Sequence, residues 1–287
     1  MKPTVIKSEM LPPCCFEATR ISSSSPSWIA QLKEIWEYRE LLYFLIWRDI
    51  KVRYNQTVMG AAWAVAQPLF IALTLSLFLG RLAKLPSNGP PYFLFAYSAM
   101  AVWQLFAQAL TGASNSLIVN EELVTLVYFP RLLVPLSSVL ASLLDFFVAL
   151  ILLFPFLAWY RVRPSSTILA LPLFVLFAML IAMGVGFWLA ALNVKYRDVR
   201  HTVGFLVQLW FLATPVAYSI DVVPKALRMW YGLNPMVAVV EGFRWSLLAS
   251  PGASVPLLAV SIATTVLLLF VGLYYFLSKQ DTFADFI

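Results

Sequence analysis

Along the chain, short polar segments separate long unbroken apolar runs at about 58–80, 92–113, 132–160, 168–192, 203–220 and 255–277. A helix needs about 20 apolar residues to cross a hydrocarbon core of about 30 Å, so the pattern predicts six transmembrane helices. Apolar positions are continuous within each run rather than alternating, which excludes a porin-type barrel. The first run carries Gln67-Pro68 at its middle, where neighbouring helices can re-satisfy a kinked backbone. The second carries Gln104 and Gln108 one turn apart, and the third has Pro135 near one end and Pro155 near the other, which predicts tilt or breakage. The fourth and sixth contain no charge.

Two regions break this rhythm. Residues 1–27 are polar and rich in Pro and Ser, without the apolar centre of a signal peptide, and read as a flexible tail. From Ser27 to Glu40, Trp28, Ile29, Leu32, Ile35 and Trp36 recur at helical spacing, which predicts an amphipathic helix suited to the membrane surface. Leu41–Trp47 is too short to span, and the next segment brings Arg48, Lys51 and Arg53 within six positions, as a second interfacial element would. Residues 1–57 are therefore read as tail and interface helix, and 58–287 as the transmembrane domain. Residues 221–254 are punctuated by Pro and Gly into two short helices, at about 224–231 and 236–248. These read either as re-entrant elements capping a pathway, where irregular backbone survives only against protein or a cavity, or as a hairpin lying on the surface.

Composition sharpens the class. Of 287 residues, 61% are hydrophobic and 12% charged, with mean hydropathy +0.83; a soluble domain has about 45–50% and about 25%. A soluble enzyme is excluded, and an aromatic content of 15% excludes disorder. The net charge of +6 fits loops lying on anionic headgroups better than nucleic acid. Six spans place both termini on one side of the membrane. Lys and Arg number 13 on that side and 7 on the other, nearly equal per residue; the long polar N-terminal region tips the reading to cytoplasmic termini. Cys14 and Cys15 are adjacent and make a poor structural disulfide, and His201 is the one histidine, so no metal site is expected.

Catalytic chemistry is scarce. No G-x-x-x-x-G-K-[ST] loop occurs, so any ATP must be bound by another chain. Asp145 is the one ionisable side chain well inside a predicted span. It can be protonated, paired with Gln or Ser of a neighbouring helix, or part of a transport route; the other five spans offer no further acids for a proton relay. Glu241 and Arg244, at i and i+3, can pair. Trp63, Tyr97, Trp103, Phe106, Trp210, Phe211 and Tyr218 lie in or near spans, either packing against helices and lipid or facing a lumen where flat rings would let sugars slide.

Four segments carry a family resemblance: YFLIWRDIKVRYNQTVMGAAWAVAQPL at 43–69, NEELVTLVYFPRLLVP at 120–135, NVKYRDVR at 193–200 and LNPMVAVVEGFR at 233–244. In this order they resemble the membrane subunit of ABC exporters for polysaccharides, which move O-antigen, capsule or teichoic acid. The resemblance implies a homodimer with two copies of a separate ATPase, which would hold ATP and Mg, in the cytoplasmic (inner) membrane. It implies a polymer linked to lipid through a diphosphate, of the undecaprenyl type, threading a channel between the two copies. A coupling helix at about 114–129 would bring Asn120, Glu121 and Glu122 to the ATPase, although Glu121 and Glu122 also read as a solvated acidic pair. Arg48, Lys51, Arg53 and Arg131 would meet the diphosphate, for which the Arg fork is well suited; headgroup anchoring is the competing reading for each. The short helices of 221–254, with Asn234, Pro235, Glu241 and Arg244, would form the outer gate. Two other classes stay open. A drug or small-lipid exporter would show a lateral pocket, and a membrane-embedded sugar transferase would need a general base and acid pair, for which Glu121-Glu122 lacks a histidine.

Overall fold

A computed structural model describes residues 34–55, 61–87, 89–162, 166–196, 198–248, 250, 252 and 254–283, and these are helical with no strand among them. The predicted tail 1–27, the first half of the predicted helix to Glu40 and the Trp63 side chain lie outside the described residues. Helix α1 (Arg39–Asn55) is followed by α2 (Ala61–Leu75), which runs into a π-helical segment Ser76–Leu82. Next come α3 (Tyr92–Val119), the short α4 (Glu121–Leu126) and α5 (Leu133–Trp159). A 3-10 turn, Ser166–Ala170, leads into α6 (Leu171–Lys195), and α7 (Val199–Ala213) follows. Two short helices, α8 (Lys225–Tyr231) and α9 (Pro235–Leu248), precede α10 (Val255–Lys279).

Five stretches are long and apolar enough to cross a membrane: Val65–Leu82, Tyr92–Val119, Leu133–Trp159, Ser166–Lys195 and Val255–Lys279. They correspond to the first, second, third, fourth and sixth predicted runs. The fifth run differs. Its helix, α7, has 15 residues, about 22 Å at 1.5 Å per residue, short of the hydrocarbon thickness. The cause is local: Pro215 has no N–H to continue the ladder, and the Thr214 hydroxyl donates to the Trp210 carbonyl at 2.8 Å as the chain turns.

Helix α3 is the central post. Of its most apolar window 83% is buried, against 11% for Val65–Leu82 at the periphery. Ala96, Ala99, Ala109 and Ala113 let α5 and α6 pack closely on it, the device by which small residues drive helix association in lipid. Helices α6 and α10 meet backbone to backbone at Gly184 and Gly272; a Cβ on Gly184 would lie 2.7 Å from the Leu269 nitrogen. At one end of the bundle α1, α4 and the adjoining ends of α3, α5, α6 and α10 share an apolar cluster around Leu45, Leu117, Leu133, Phe187 and Phe276.

The two helices of the segment 221–254 lie close to where they were expected: α8 is largely exposed, whereas α9 is buried along almost its whole length between α3, α6 and α10. Gly242 makes room for the Phe174 ring at that contact.

Candidate functional site

A cavity of about 1010 Å³ opens between α2, α3 and α7. Its wall has three zones. Trp103 and Phe211, with ring centroids 5.5 Å apart and edge-on, form an aromatic zone. Gln67, Gln104, Gln108, Gln208 and Thr111 supply neutral polar groups. At the end nearer α1, Arg53, Tyr54 and Asp145 supply charge.

That charged end is built by α1 lying along a polar stripe of α5. Asp49 accepts from Ser137 at 3.2 Å and Ser138 at 3.4 Å, and pairs with Arg48 at 2.8 Å. One turn on, Arg53 forms an ion pair with Asp145, and the Tyr54 hydroxyl donates to the same carboxylate. Asp145 is thus neither bound to Gln or Ser nor without a charged partner; its partners come from α1, 91 and 92 residues away in sequence. An opposite charge is the strongest compensation for a carboxylate out of water. Burial, and then the hydrogen bond to Asp145, raises the Tyr54 hydroxyl above its ordinary pKa and keeps it a donor. The Arg53 side chain is 37% exposed, against 8% for Asp145, and both residues line the cavity.

The four predicted phosphate-guiding cations do not gather. Arg53 lines the cavity, Arg48 is taken up by Asp49, Lys51 is exposed on α1, and Arg131 donates to the Gln280 carbonyl, joining the start of α5 to the end of α10. The predicted aromatic track also divides. Trp103 and Phe211 face the cavity. Tyr97 and Phe106 have no exposed surface: Tyr97 donates to the Ala149 carbonyl at 3.0 Å, and Phe106 packs on Trp210 at 4.9 Å. Both belong to the packed core because α3 is surrounded on nearly all sides. Trp210 faces a second, apolar cavity of about 650 Å³ on the other side of α7, beside Trp188 and Trp230. Tyr218 lies beyond α7 with its hydroxyl 3.1 Å from that of Tyr231.

The expected gate residues form a buried polar knot. Asn234 caps α9 by accepting from the Met236 N–H at 3.1 Å, accepts from the Trp210 indole N–H at 2.7 Å, and donates to Thr214 at 2.9 Å. Pro235 then opens α9, where a missing N–H costs nothing. Glu241 and Arg244 do pair, at 3.2 Å. Arg244 does much more: wholly buried, it donates to the carbonyls of Pro215 at 2.8 Å, Val216 at 2.6 Å, Phe95 at 3.3 Å and Tyr218 at 3.4 Å. Its guanidinium also stacks on the Phe95 ring at 3.5 Å. The Pro215, Val216 and Tyr218 carbonyls belong to the turn that ends α7 and the Phe95 carbonyl to α3, so a single side chain fixes α3, α7 and α9 together.

The predicted 114–129 element is shorter than expected. Ser114–Val119 continues α3, held by Asn193, which donates to the Ser114 carbonyl at 2.9 Å and to Asn115 at 3.0 Å. Only Glu121–Leu126 forms the separate short helix. Glu121 and Glu122 are exposed on it, and exposed Val119, Leu126 and Tyr128 flank them. Asn120 turns the chain between α3 and α4 and donates to the Ser116 carbonyl at 2.7 Å.

Sequence reasoning missed Tyr54, Asp49, Gln208 and Thr111 as parts of this end of the molecule. Their common signal is a polar side chain inside or beside an apolar run. Among the described residues no three His, Cys, Asp or Glu side chains come together as a metal site would require.

The sequence is 29% identical to an O-antigen export system permease protein of Myxococcus xanthus, over 90% of this chain and 99% of that one. It is 28% identical to an O-antigen export system permease protein of Klebsiella pneumoniae, over 86% and 94%. A more distant relative is the polysialic acid transport protein of Escherichia coli, 21% identical over 83% of this chain and 92% of the other. The family model for the ABC-2 type transporter membrane domain matches residues 40–248, which include the cavity, the short acidic helix and the Arg244 knot. On this match over most of its length, the chain belongs to the ABC-2 type transporter family of multi-pass membrane proteins.

Proposed function

We propose that this chain is the channel-forming membrane subunit of an ATP-driven exporter that moves lipid-linked polysaccharide, of the undecaprenyl-diphosphate type, across the cytoplasmic membrane. One observation carries the reading: one large cavity is lined by the Arg53–Asp145 pair, neutral amides and the aromatic residues Trp103 and Phe211. Those are the groups that a diphosphate and a chain of sugars require. The named roles of the O-antigen permeases support it.

In this reading two copies meet so that their cavities form one passage. A separate ATPase, present in two copies and holding ATP and Mg, seats on α4, where Glu121 and Glu122 offer charge and Leu126 and Tyr128 offer apolar contact. The sixth crossing is made by α7 together with the turn, the exposed helix α8 and the buried helix α9, which act as the outer gate. Both termini are then cytoplasmic. Arg53, which lines the cavity, is the principal diphosphate guide, and Arg48 and Lys51 precede it on α1, with Arg131 at the start of α5. A second reading, export of a small lipid or drug, draws support from the apolar cavity lined by Trp188, Trp210 and Trp230.

Inverted membrane vesicles containing this chain and the neighbouring ATPase test the proposal. Labelled lipid-linked glycan is expected to enter the lumen on addition of ATP, and to stay outside when either subunit is missing. Uptake driven by a proton gradient without the ATPase would overturn the reading, and uptake of a small lipid in place of glycan would favour the second.

A further inference from the structure

Four glutamines converge on the large cavity from three helices: Gln67 from α2, Gln104 and Gln108 from successive turns of α3, and Gln208 from α7. Gln67 and Gln208 are exposed on the wall, and Gln104 and Gln108 are half-buried. Among the described residues the Gln108 Oε1 is sealed from solvent and accepts no hydrogen bond. Thr111 continues the same side of α3 one turn beyond Gln108. An amide in apolar surroundings costs free energy unless something bonds to it. Gln104 and Gln108, half-buried beside Met100, Ile71, Val207 and Leu212, call for a ligand or for water held there.

The choice of residue narrows the ligand. A primary amide offers two donors and an acceptor with two lone pairs, which matches hydroxyl groups that donate and accept in turn. It carries no charge, so it can bind a neutral chain without trapping it. Gln104 and Gln108 stand about 6 Å apart along α3, a spacing comparable with one sugar unit. Aromatic faces such as Trp103 and Phe211 hold sugar rings without distinguishing one hydroxyl arrangement from another. A site that hydrogen-bonds a hydroxyl, by contrast, rejects an analogue lacking it, because its own polar groups are then left unpaired.

We propose that Gln67, Gln104, Gln108 and Gln208 are the specificity-determining contacts to the sugar hydroxyls of the exported polymer, while Trp103 and Phe211 provide only adhesion. This rests on the reading of the cavity as a glycan passage. Gln108 stands nearest the Arg53 end of α3, so it meets the first sugars behind the diphosphate, and Gln104 meets the next.

The test uses the complete transporter in its own host, with the host's surface polysaccharide oxidised by periodate and labelled with a hydrazide dye. Gln104→Leu/Gln108→Leu is expected to leave the amount of assembled complex unchanged, because leucine is similar in size and suits an apolar wall. Surface glycan should fall about tenfold, as expected for the loss of two hydrogen bonds. Gln104→Asn/Gln108→Asn, which keeps the amides, should restore at least half of it. Normal export by the Leu pair, or equal loss in the Asn pair, overturns the assignment. Should the first pair fail to assemble, Gln67→Leu/Gln208→Leu at the exposed wall positions gives the same readout, and normal export by that pair is equally contrary. Arg53→Gln separates the two levels. If it abolishes export while the Leu variants export normally, the amide assignment fails and the passage stands. If Arg53→Gln and Trp103→Leu also export normally, the passage reading fails as well.

Discussion

Arg244→Met is expected to prevent the protein from accumulating as a folded, assembled subunit. The guanidinium is wholly buried and donates to four carbonyls, from Phe95, Pro215, Val216 and Tyr218, besides its bond to Glu241. Methionine fills part of the volume and satisfies none of these. Removing one partner of a buried ion pair costs about 3–5 kcal/mol, because the other charge is stranded. Each orphaned carbonyl adds to this on the order of 1 kcal/mol. Against a total stability of about 5–15 kcal/mol for an ordinary domain, the loss is large. Arg244→Lys should fare little better, since an ammonium lacks the planar fork that reaches several acceptors at once. Arg244→Met/Glu241→Leu should recover part of the loss by removing the stranded carboxylate. Thermal unfolding in detergent, with the amount of protein in membranes, reads all three. A wild-type melting temperature for Arg244→Met would show that the α7–α9 turn holds without it.

The second large effect separates structure from transport at the Arg53 end. Arg53→Met leaves Asp145 among apolar neighbours with Tyr54 as its remaining donor from α1. Because the Arg53 side chain is 37% exposed, the stability loss should be smaller than for Arg244, about 2 kcal/mol. Asp145→Leu in the same chain removes the stranded acid, so Arg53→Met/Asp145→Leu should assemble nearly as well as the natural protein. Export should remain at least tenfold down in that double variant, as expected when a hydrogen bond to a charged group is lost. A double variant that assembles and exports normally would reduce the Arg53–Asp145 pair to a tie between α1 and α5.

Most of the architecture is legible because hydropathy and length report directly on a bilayer. The runs at 92–113, 132–160, 168–192 and 255–277 correspond to helices that begin within two residues of the predicted starts. The C-terminal end of α3 differs from the expected boundary because Ser114, Asn115 and Ser116 look like loop residues. Their polarity is absorbed by Asn193 and by the preceding turn of the same helix, contacts that a one-dimensional pattern does not carry. The run at 203–220 looked continuous since Thr214 and Pro215 barely alter a hydropathy average, yet Pro215 ends the helix.

The site was legible in its residue types and not in its partnerships. Asp145 stood out as an isolated acid, but nothing local points to Arg53 and Tyr54. Arg244 offered an i,i+3 acid, and that pairing is present; its reach to the turn after α7 and to Phe95 depends on how α9 folds back. Among the aromatics, hydropathy ranks Tyr97 and Trp103 alike; both are buried, and only Trp103 also borders the cavity. Polar residues inside apolar runs proved the better guide: Gln67, Gln104, Gln108 and Gln208 all face one space.

The central claim is that glycan passes through this space, and photo-crosslinking during turnover tests it most directly. A benzophenone amino acid at Phe211 places the reactive group on the cavity wall, while the same group at Phe270, 69% exposed on α10, serves as the control. With ATP and the complete transporter, glycan adducts are predicted at 211 and not at 270. A complex that exports glycan yet gives no adduct at 211, or gives equal adducts at both positions, would contradict the account.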